Sequence, residues 1–208
     1  MKNTLTFLLL CISIISCGQQ HNSNQAMPSK ECVHLNDEGV KYLMKPSYYG
    51  KAVVDTAITF LLQATHCDTN YLMAYNNLAI AYDHKRDYKT ELSVYGKLLF
   101  LTSNSPVFLV RQAIIYEKIN DINAAKKTYA LAEAAYKQKL SAVPNDVVAI
   151  KGLIYLKALT VSKDSAIKEL NIQEKIHPDL SAELREQLYF YENFDRKSLT
   201  NHATLERN

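Results

Sequence analysis

Small and aromatic residues alternate along the middle of the chain in a pattern that repeats at a fixed interval. When residues 75–98 are superposed on residues 109–132, alanine, aspartate and two tyrosines each fall on a residue of their own kind. The matched pairs include Ala79/Ala113, Tyr82/Tyr116, Asp87/Asp121 and Tyr95/Tyr129. A fixed period of this length, roughly 34 residues, indicates an array of repeats, each built from one pair of helices.

Two weaker copies flank this central pair. A small residue followed three positions later by tyrosine occurs at Gly39/Tyr42, Ala79/Tyr82, Ala113/Tyr116 and Gly152/Tyr155. The second helix of each copy carries small or medium residues at matching positions, from which Glu91 and Gln173 depart. Because two helices approach closely only where a small residue meets a ring from its neighbour, the pattern predicts tightly packed antiparallel helix pairs.

This residue pattern resembles that of the tetratricopeptide repeat family, most clearly in AYNNLAIAYDHKRDYKTELSVYGKLLFL and LVRQAIIYEKINDINAAKKTYALA. The resemblance implies an all-α fold, a right-handed superhelix of antiparallel helix pairs (an α-solenoid) with a C-terminal capping helix. The domain is expected over residues 31–192. Its predicted parts are repeats at 32–71, 72–105, 106–144 and 145–178, a cap at 179–192 and a polar tail at 193–208.

Prolines refine these boundaries. The first turn carries an insertion around residues 45–50, where Pro46 and Gly50 predict irregular backbone. The second helix of the third repeat should continue to about Ser141 before Pro144 ends it, and Pro178 should end the fourth repeat.

Residues 1–16 have the pattern of an export signal. The apolar run Leu5–Ile15 is long enough for a signal peptide and too short to span a bilayer. The segment Ile14-Ile15-Ser16-Cys17-Gly18 resembles the lipobox of bacterial lipoproteins, with an ordinary secretory signal as the alternative. The resemblance implies cleavage between Ser16 and Cys17, acyl chains on Cys17 and a flexible linker over residues 17–30. We therefore expect a lipid anchor in the bacterial cell envelope, in the outer membrane and facing the periplasm.

Two cysteines remain in the mature domain. Cys32 lies just before the first predicted helix and Cys67 at the end of the second, which is the same end of an antiparallel hairpin. An oxidising periplasm favours a disulfide between them. A zinc site formed with His34 and His66 is the competing hypothesis, although adjacent residues on one helix point about 100° apart.

Charge and composition exclude several classes of function. Lys and Arg number 24 against 21 Asp and Glu, a net charge of +3 that is too balanced for a nucleic-acid interface. Five glycines are too few for a phosphate-binding loop, and no dinucleotide motif is present. The six histidines are scattered and have no nucleophile or acidic partner at a recognisable spacing. We predict no enzyme activity, no cofactor and no metal.

The first helix of each repeat is expected, by analogy with the family, to line a concave and mostly apolar groove. The groove positions are Asn36, Val40, Leu43, Met73, Asn76, Ile80, Asp83, Val107, Val110, Ile114, Glu117, Ala149, Leu153 and Leu156. Of these, the candidate partner-binding residues are Val40, Met73, Asn76, Ile80, Val110, Ile114 and Leu153, together with Asn77 and Arg111. For each groove position, ordinary core packing between repeats is the alternative. For Arg111 the alternative is a solvated side chain, and for Asn77 it is a structural role that is common in the family.

Some members of the family bind a partner's C-terminal carboxylate with five basic and amide side chains. Only Asn77 and Arg111 fall on matching positions here, so this ligand is not predicted. An apolar groove binds an extended or helical peptide, or is filled by the protein's own terminal segment.

These inferences favour a non-catalytic scaffold that binds a protein or peptide partner, of unknown identity, near an envelope membrane. Two alternatives remain: an immunity or inhibitor lipoprotein that blocks a toxin or hydrolase, and a carrier of lipid or another hydrophobic ligand.

Overall fold

The computed structural model describes residues 27–44 and 50–200, and these residues form helices and turns without any strand. The all-α prediction is therefore confirmed for the described part of the chain. The main helices are α1 (Lys30–Leu43), α2 (Gly50–Cys67), α3 (Leu72–Lys85), α4 (Tyr88–Leu101), α5 (Pro106–Lys118), α6 (Ile122–Ala142), α7 (Val147–Thr160) and α8 (Lys163–Ile176). The predicted signal peptide, Cys17, most of the linker and residues 45–49 of the predicted insertion lie outside the described residues. The expectation of irregular backbone at Gly50 is wrong, because Gly50 is the first residue of α2.

The chain divides into two compact units. Among the described residues, the first contains Pro28–Ala135 together with those from Phe194 onward, and the second contains Tyr136–Asn193. Helices α1 to α5 and most of α6 belong to the first unit, which carries nearly all the candidate binding residues.

The turns that close the first helix of the second and third repeats share one geometry. Arg86 and Asn120, which occupy equivalent positions of the two repeats, both adopt the left-handed conformation, with φ of 60° and 63°. In both turns the following N–H donates to the carbonyl five residues earlier. These bonds join Asp87 N to Tyr82 O at 3.0 Å and Asp121 N to Tyr116 O at 2.8 Å. Such a pattern satisfies carbonyls that the end of a helix leaves without partners.

The same two turns also start the next helix in the same way. The Asp87 carboxylate accepts a hydrogen bond from the N–H of Thr90 at 3.2 Å. Asp121 accepts one from the N–H of Ala124 at 3.0 Å. Aspartate at this position satisfies a free N–H of the first helical turn, so the recurrence in sequence is also a recurrence of backbone hydrogen bonds.

Small residues mark the closest helix contacts, as the sequence predicts. A Cβ added to Gly39 of α1 would lie 2.6 Å from Cγ of Leu61 on α2. In the second unit, a Cβ on Gly152 would lie 2.2 Å from the ring of Tyr136. Neither site has room for a side chain, which explains why glycine stands where the two central copies have alanine.

The long second helix of the third repeat is confirmed, because α6 continues to Ala142 before Pro144. The cap differs in detail from the single helix predicted over 179–192. It consists of a 3₁₀ turn (Pro178–Leu180) and two short helices, α9 (Ser181–Arg185) and α10 (Leu188–Glu192). The N–H of Gln187 donates to the carbonyl of Leu184, three residues earlier, at 3.0 Å, and this tighter bond interrupts the helix.

The start of the predicted polar tail contains a buried side chain and a short helix. Phe194 is only 9% exposed, and a 3₁₀ helix follows at Arg196–Leu199. The apolar ring explains the burial of Phe194, whereas its polar neighbours Asp195 and Lys197 are exposed. Residues 201–208 lie outside the described part.

No helix within residues 27–44 and 50–200 combines the length and the apolar character that crossing a bilayer requires.

Candidate functional site

The first helices of the first three repeats, α1, α3 and α5, carry the candidate groove of the first unit, and polar side chains join them. Nδ2 of Asn77 on α3 donates to Oδ1 of Asn36 on α1 at 2.8 Å. Asn36 is only 1% exposed, so this amide bond is an internal one. Farther along α3, Asp83 forms an ion pair with Lys118 of α5. The three helices that carry the groove positions of the first unit are therefore held in register by side-chain bonds.

The apolar candidate residues divide by exposure. Val110 is buried and belongs to the core. Val40, Ile80 and Ile114 are half-buried, and Met73 is 50% exposed. Half-buried aliphatic side chains contact the core with one side and leave the other side accessible, so this face retains apolar surface for a partner.

Asn76 is the polar member of this set. It is 7% exposed, and its Oδ1 has no hydrogen-bond partner among the described residues. A buried amide oxygen usually accepts a hydrogen bond, so Asn76 is an exception within the packing of α3 and belongs to the interior of the domain and not to its accessible face.

The structure does not assemble a carboxylate-binding clamp from the two matching residues. The amide of Asn77 is already bonded to Asn36. Arg111 is half-buried and lies close enough to Glu91 that its positive charge acts to lower the pKa of that carboxyl. Both side chains thus have roles within the domain. Leu153 lies on α7 in the second unit, where it is half-buried.

A buried acid that sequence reasoning did not assign to the site lies beside this framework. Glu91 on α4 is 4% exposed, and its Oε2 has no hydrogen-bond partner among the described residues. Burial raises the pKa of Glu91 to about 8, and the nearby negative charge of Asp83 also raises it. Lys118 and Arg111 oppose this shift in pKa. The only signal in the sequence was a carboxylate at a position where the repeat pattern expects a small residue.

A second charged contact was also missed. Nη2 of Arg196 donates to both carboxylate oxygens of Glu117, which is one of the predicted groove positions. The hydroxyl of Tyr129 donates to Oε2 of the same carboxylate at 3.3 Å. Arg196 lies 79 residues from Glu117 in sequence, and no periodic pattern connects the two.

The first hairpin carries the cysteine pair. Cys32 and Cys67 form a disulfide in the structure, with Cα atoms 5.5 Å apart. The bridge uses both sulfurs, so the competing zinc site with His34 and His66 is not formed. No cluster of three or more His, Cys, Asp or Glu side chains suited to a metal ion occurs in the described parts of the chain.

Comparison with known proteins gives structural neighbours only. No family model matches the chain, and no curated protein matches it. Similar solved structures include the "MamA RS-1 ArsTM double mutant", 19% identical, which covers 86% of this chain and 94% of its own with a TM-score of 0.45. They also include MamA 41-end from Desulfovibrio magneticus RS-1, with 18% identity, the same coverages and the same TM-score.

A tetratricopeptide repeat protein from Parabacteroides merdae ATCC 43184 is 17% identical and covers 91% of this chain and 67% of its own, with a TM-score of 0.49. This likeness concerns the fold and carries no information about a partner. The helix pairs, recurring turns and close contacts of this chain are themselves the features that make its fold tetratricopeptide-like.

Proposed function

We propose that this protein is a non-catalytic scaffold that binds a protein partner on the face of α1, α3 and α5. The observation that carries the proposal is the set of apolar side chains on this face. Ile80 and Ile114 are half-buried and Met73 is half-exposed, on helices that Asn36–Asn77 and Asp83–Lys118 join. A rigid helical face with accessible apolar side chains suits recognition of a peptide or helix.

The proposal places this face in the bacterial cell envelope. Acyl chains on Cys17 would hold the domain at the membrane, where a short polar linker keeps it near the surface. The lipobox-like sequence around Cys17 supports this address. Replacement of Cys17 by serine is expected to move the protein from the membrane fraction to the soluble fraction after cell lysis.

Site-specific photocrosslinking in intact cells tests the binding face. A photoreactive amino acid at Ile80 should capture a specific protein, whereas the same probe at Gly96 should not. Gly96 is a matched control, because it is exposed on α4 and a Cβ there meets no atom within 4 Å. Capture of the same proteins from both positions would contradict the proposal. Capture of a toxin or hydrolase at Ile80 would instead identify the protein as an inhibitor.

A further inference from the structure

The Glu117 carboxylate requires a positively charged partner. Its side chain is 16% exposed and the side chain of Arg196 is 31% exposed, so most of this ion pair is removed from water. Tyr129 donates a hydrogen bond to Glu117 but carries no charge. A carboxylate with this little exposure to water is strongly destabilised when its cation is removed, because little solvent is available to stabilise the negative charge in place of the cation. The site therefore selects a cation with hydrogen-bond donors.

The segment Phe194–Thr200, which we call the C-terminal segment, is shaped to supply that cation. The Asp195 carboxylate accepts a hydrogen bond from the N–H of Lys197 at 2.9 Å. The Asp195 carbonyl accepts one from the Ser198 hydroxyl at 2.7 Å. These bonds form a local turn in which Phe194 is buried and Arg196 is partly buried, while Asp195, Lys197 and Ser198 remain exposed. Within this turn Arg196 makes the charged contact, with Glu117 of α5, and Phe194 is the buried aromatic side chain.

The segment makes its contact through few residues, as a bound peptide does, and not over a long buried face, as a core helix does. The 3₁₀ helix in the segment has four residues, and most of the positions between Phe194 and Leu199 are exposed. The preceding helix α10 is held separately, since Nζ of Lys163 donates to the carbonyl of Glu192 at 3.2 Å. Release of the segment therefore leaves the end of α10 attached through its own bond.

We propose that the C-terminal segment is a built-in ligand of the helical part of the first unit, Pro28–Ala135, bound through Glu117 of α5. An external partner then uses the same contact and displaces it. The partner is a protein segment with an arginine that pairs with Glu117 and an aromatic residue two positions before it. This inference rests on the proposed function, and it adds the chemistry of the partner and a self-occupied state. Attachment to the same chain gives the segment a high effective concentration, so only a competing partner with further contacts on the face replaces it.

A peptide titration with the full chain tests this inference. The probe is a fluorescent peptide with the sequence of residues 192–200, ENFDRKSLT. The variant Phe194→Ala/Arg196→Ala should bind this peptide at least about tenfold more tightly than the wild type, because its own segment no longer competes. Addition of Glu117→Gln to that variant should abolish peptide binding. Lys197→Ala is the matched control, because Lys197 is exposed beside the contact, and it should bind like the wild type.

A charge exchange gives an independent readout. The Arg196→Glu version of the peptide should not bind the released chain, and a Glu117→Arg chain should regain binding of that altered peptide. If the double variant does not fold, Arg196→Ala alone replaces it, with the same expected direction. Equal peptide affinity in the wild-type and released chains would overturn the inference, as would binding that is indifferent to Glu117→Gln. If Arg196 leaves Glu117 only when the chain dimerises at higher concentration, the segment binds a second copy of the chain. That result would overturn the proposed contact within one chain.

The two proposals fail separately. Photocrosslinking at Ile80 that captures nothing specific, with a successful peptide titration, would remove the scaffold function and keep the built-in ligand. A specific capture at Ile80 with no effect of Glu117 on peptide binding would keep the scaffold and overturn the inference.

Discussion

The two ends of the first unit are closed by different chemistry. At the N-terminal hairpin a disulfide joins Cys32 and Cys67, so the start of α1 is fixed to the end of α2. At the other end, Arg196 closes the third repeat through an ion pair with Glu117. A covalent bond keeps one arrangement throughout, whereas a non-covalent ion pair can exchange with another cation that carries hydrogen-bond donors. The difference indicates that the N-terminal end is structural and that the C-terminal end is the one able to change state.

The side-chain contacts that link the first helices of successive repeats, which we call joints, also differ in charge. Between α1 and α3 the cross-link is a neutral amide pair, Asn36–Asn77. Between α3 and α5 it is the charged pair Asp83–Lys118, and buried Glu91 lies nearby. Charge therefore increases from the first joint to the second, and sensitivity to pH and salt should increase with it.

The largest expected effect tests the charged joint through Glu91→Gln. The folded pKa of Glu91, about 8, lies above the ordinary value of 4.5, so the folded state binds the proton more tightly than the unfolded state. The stabilisation this provides is complete below about pH 4.5 and is lost as pH rises through about 8. Since one pKa unit is worth about 1.4 kcal/mol, the wild type should lose roughly 5 kcal/mol relative to the variant over this range.

Urea denaturation of both proteins from pH 4 to pH 9 measures this difference. Glu133→Gln serves as the control, because Glu133 is an exposed acid on α6 and should leave the pH profile close to that of the wild type. Parallel profiles for the wild type and Glu91→Gln would show that the charged joint is not sensitive to pH through this residue.

The next effect tests the covalent end. Removal of the bridge in Cys32→Ala/Cys67→Ala should lower the free energy of unfolding by roughly 3 to 4 kcal/mol, because the disulfide closes a long loop in the unfolded chain. A reducing agent should lower the stability of the wild type by a similar amount and should leave the double variant unchanged. A wild type that is equally stable with and without reductant would remove the contrast between the two ends.

The smallest expected effects come from two glycines of the first unit, one in a tight helix contact and one where only helix propensity matters. Gly39→Ala should destabilise the protein by about 1 to 2 kcal/mol, because the new Cβ overlaps the side chain of Leu61. Gly96→Ala, with open space around it, should instead stabilise α4 by about 0.5 to 1 kcal/mol. Thermal unfolding compares the two variants. Stabilisation by both changes would show that the first hairpin adjusts more easily than the contact distances indicate.

The sequence was most informative where contacts recur locally. The repeat period predicted the helix pairs, and the small residues Gly39 and Gly152 predicted the closest contacts, because both features follow from packing between neighbouring helices. The length of α6 followed from Pro144, since proline cannot continue a helix.

The charged part of the site could not be predicted in the same way. Arg196 and Glu117 meet across 79 residues, and a single long-range pair leaves no period in the sequence. Glu91 was visible as an exception to the repeat pattern, but its depth and its charged neighbours depend on how three helices converge. The interruption of the cap at Gln187 depends on one backbone hydrogen bond, for which the sequence of residues 179–192 gives no signal.

The matching turns at Arg86 and Asn120 have a consequence for how such a chain lengthens. The stretch 87–120 begins with an aspartate that starts a helix and ends with a left-handed residue that stops one. The turn at Asn120 and Asp121 has the same backbone hydrogen bonds as the turn at Arg86 and Asp87. A tandem copy of residues 87–120 inserted after Asn120 would therefore find suitable hydrogen-bond partners at both junctions. Growth by duplication therefore requires no new turn chemistry, and the natural breakpoint lies between the two helices of a pair.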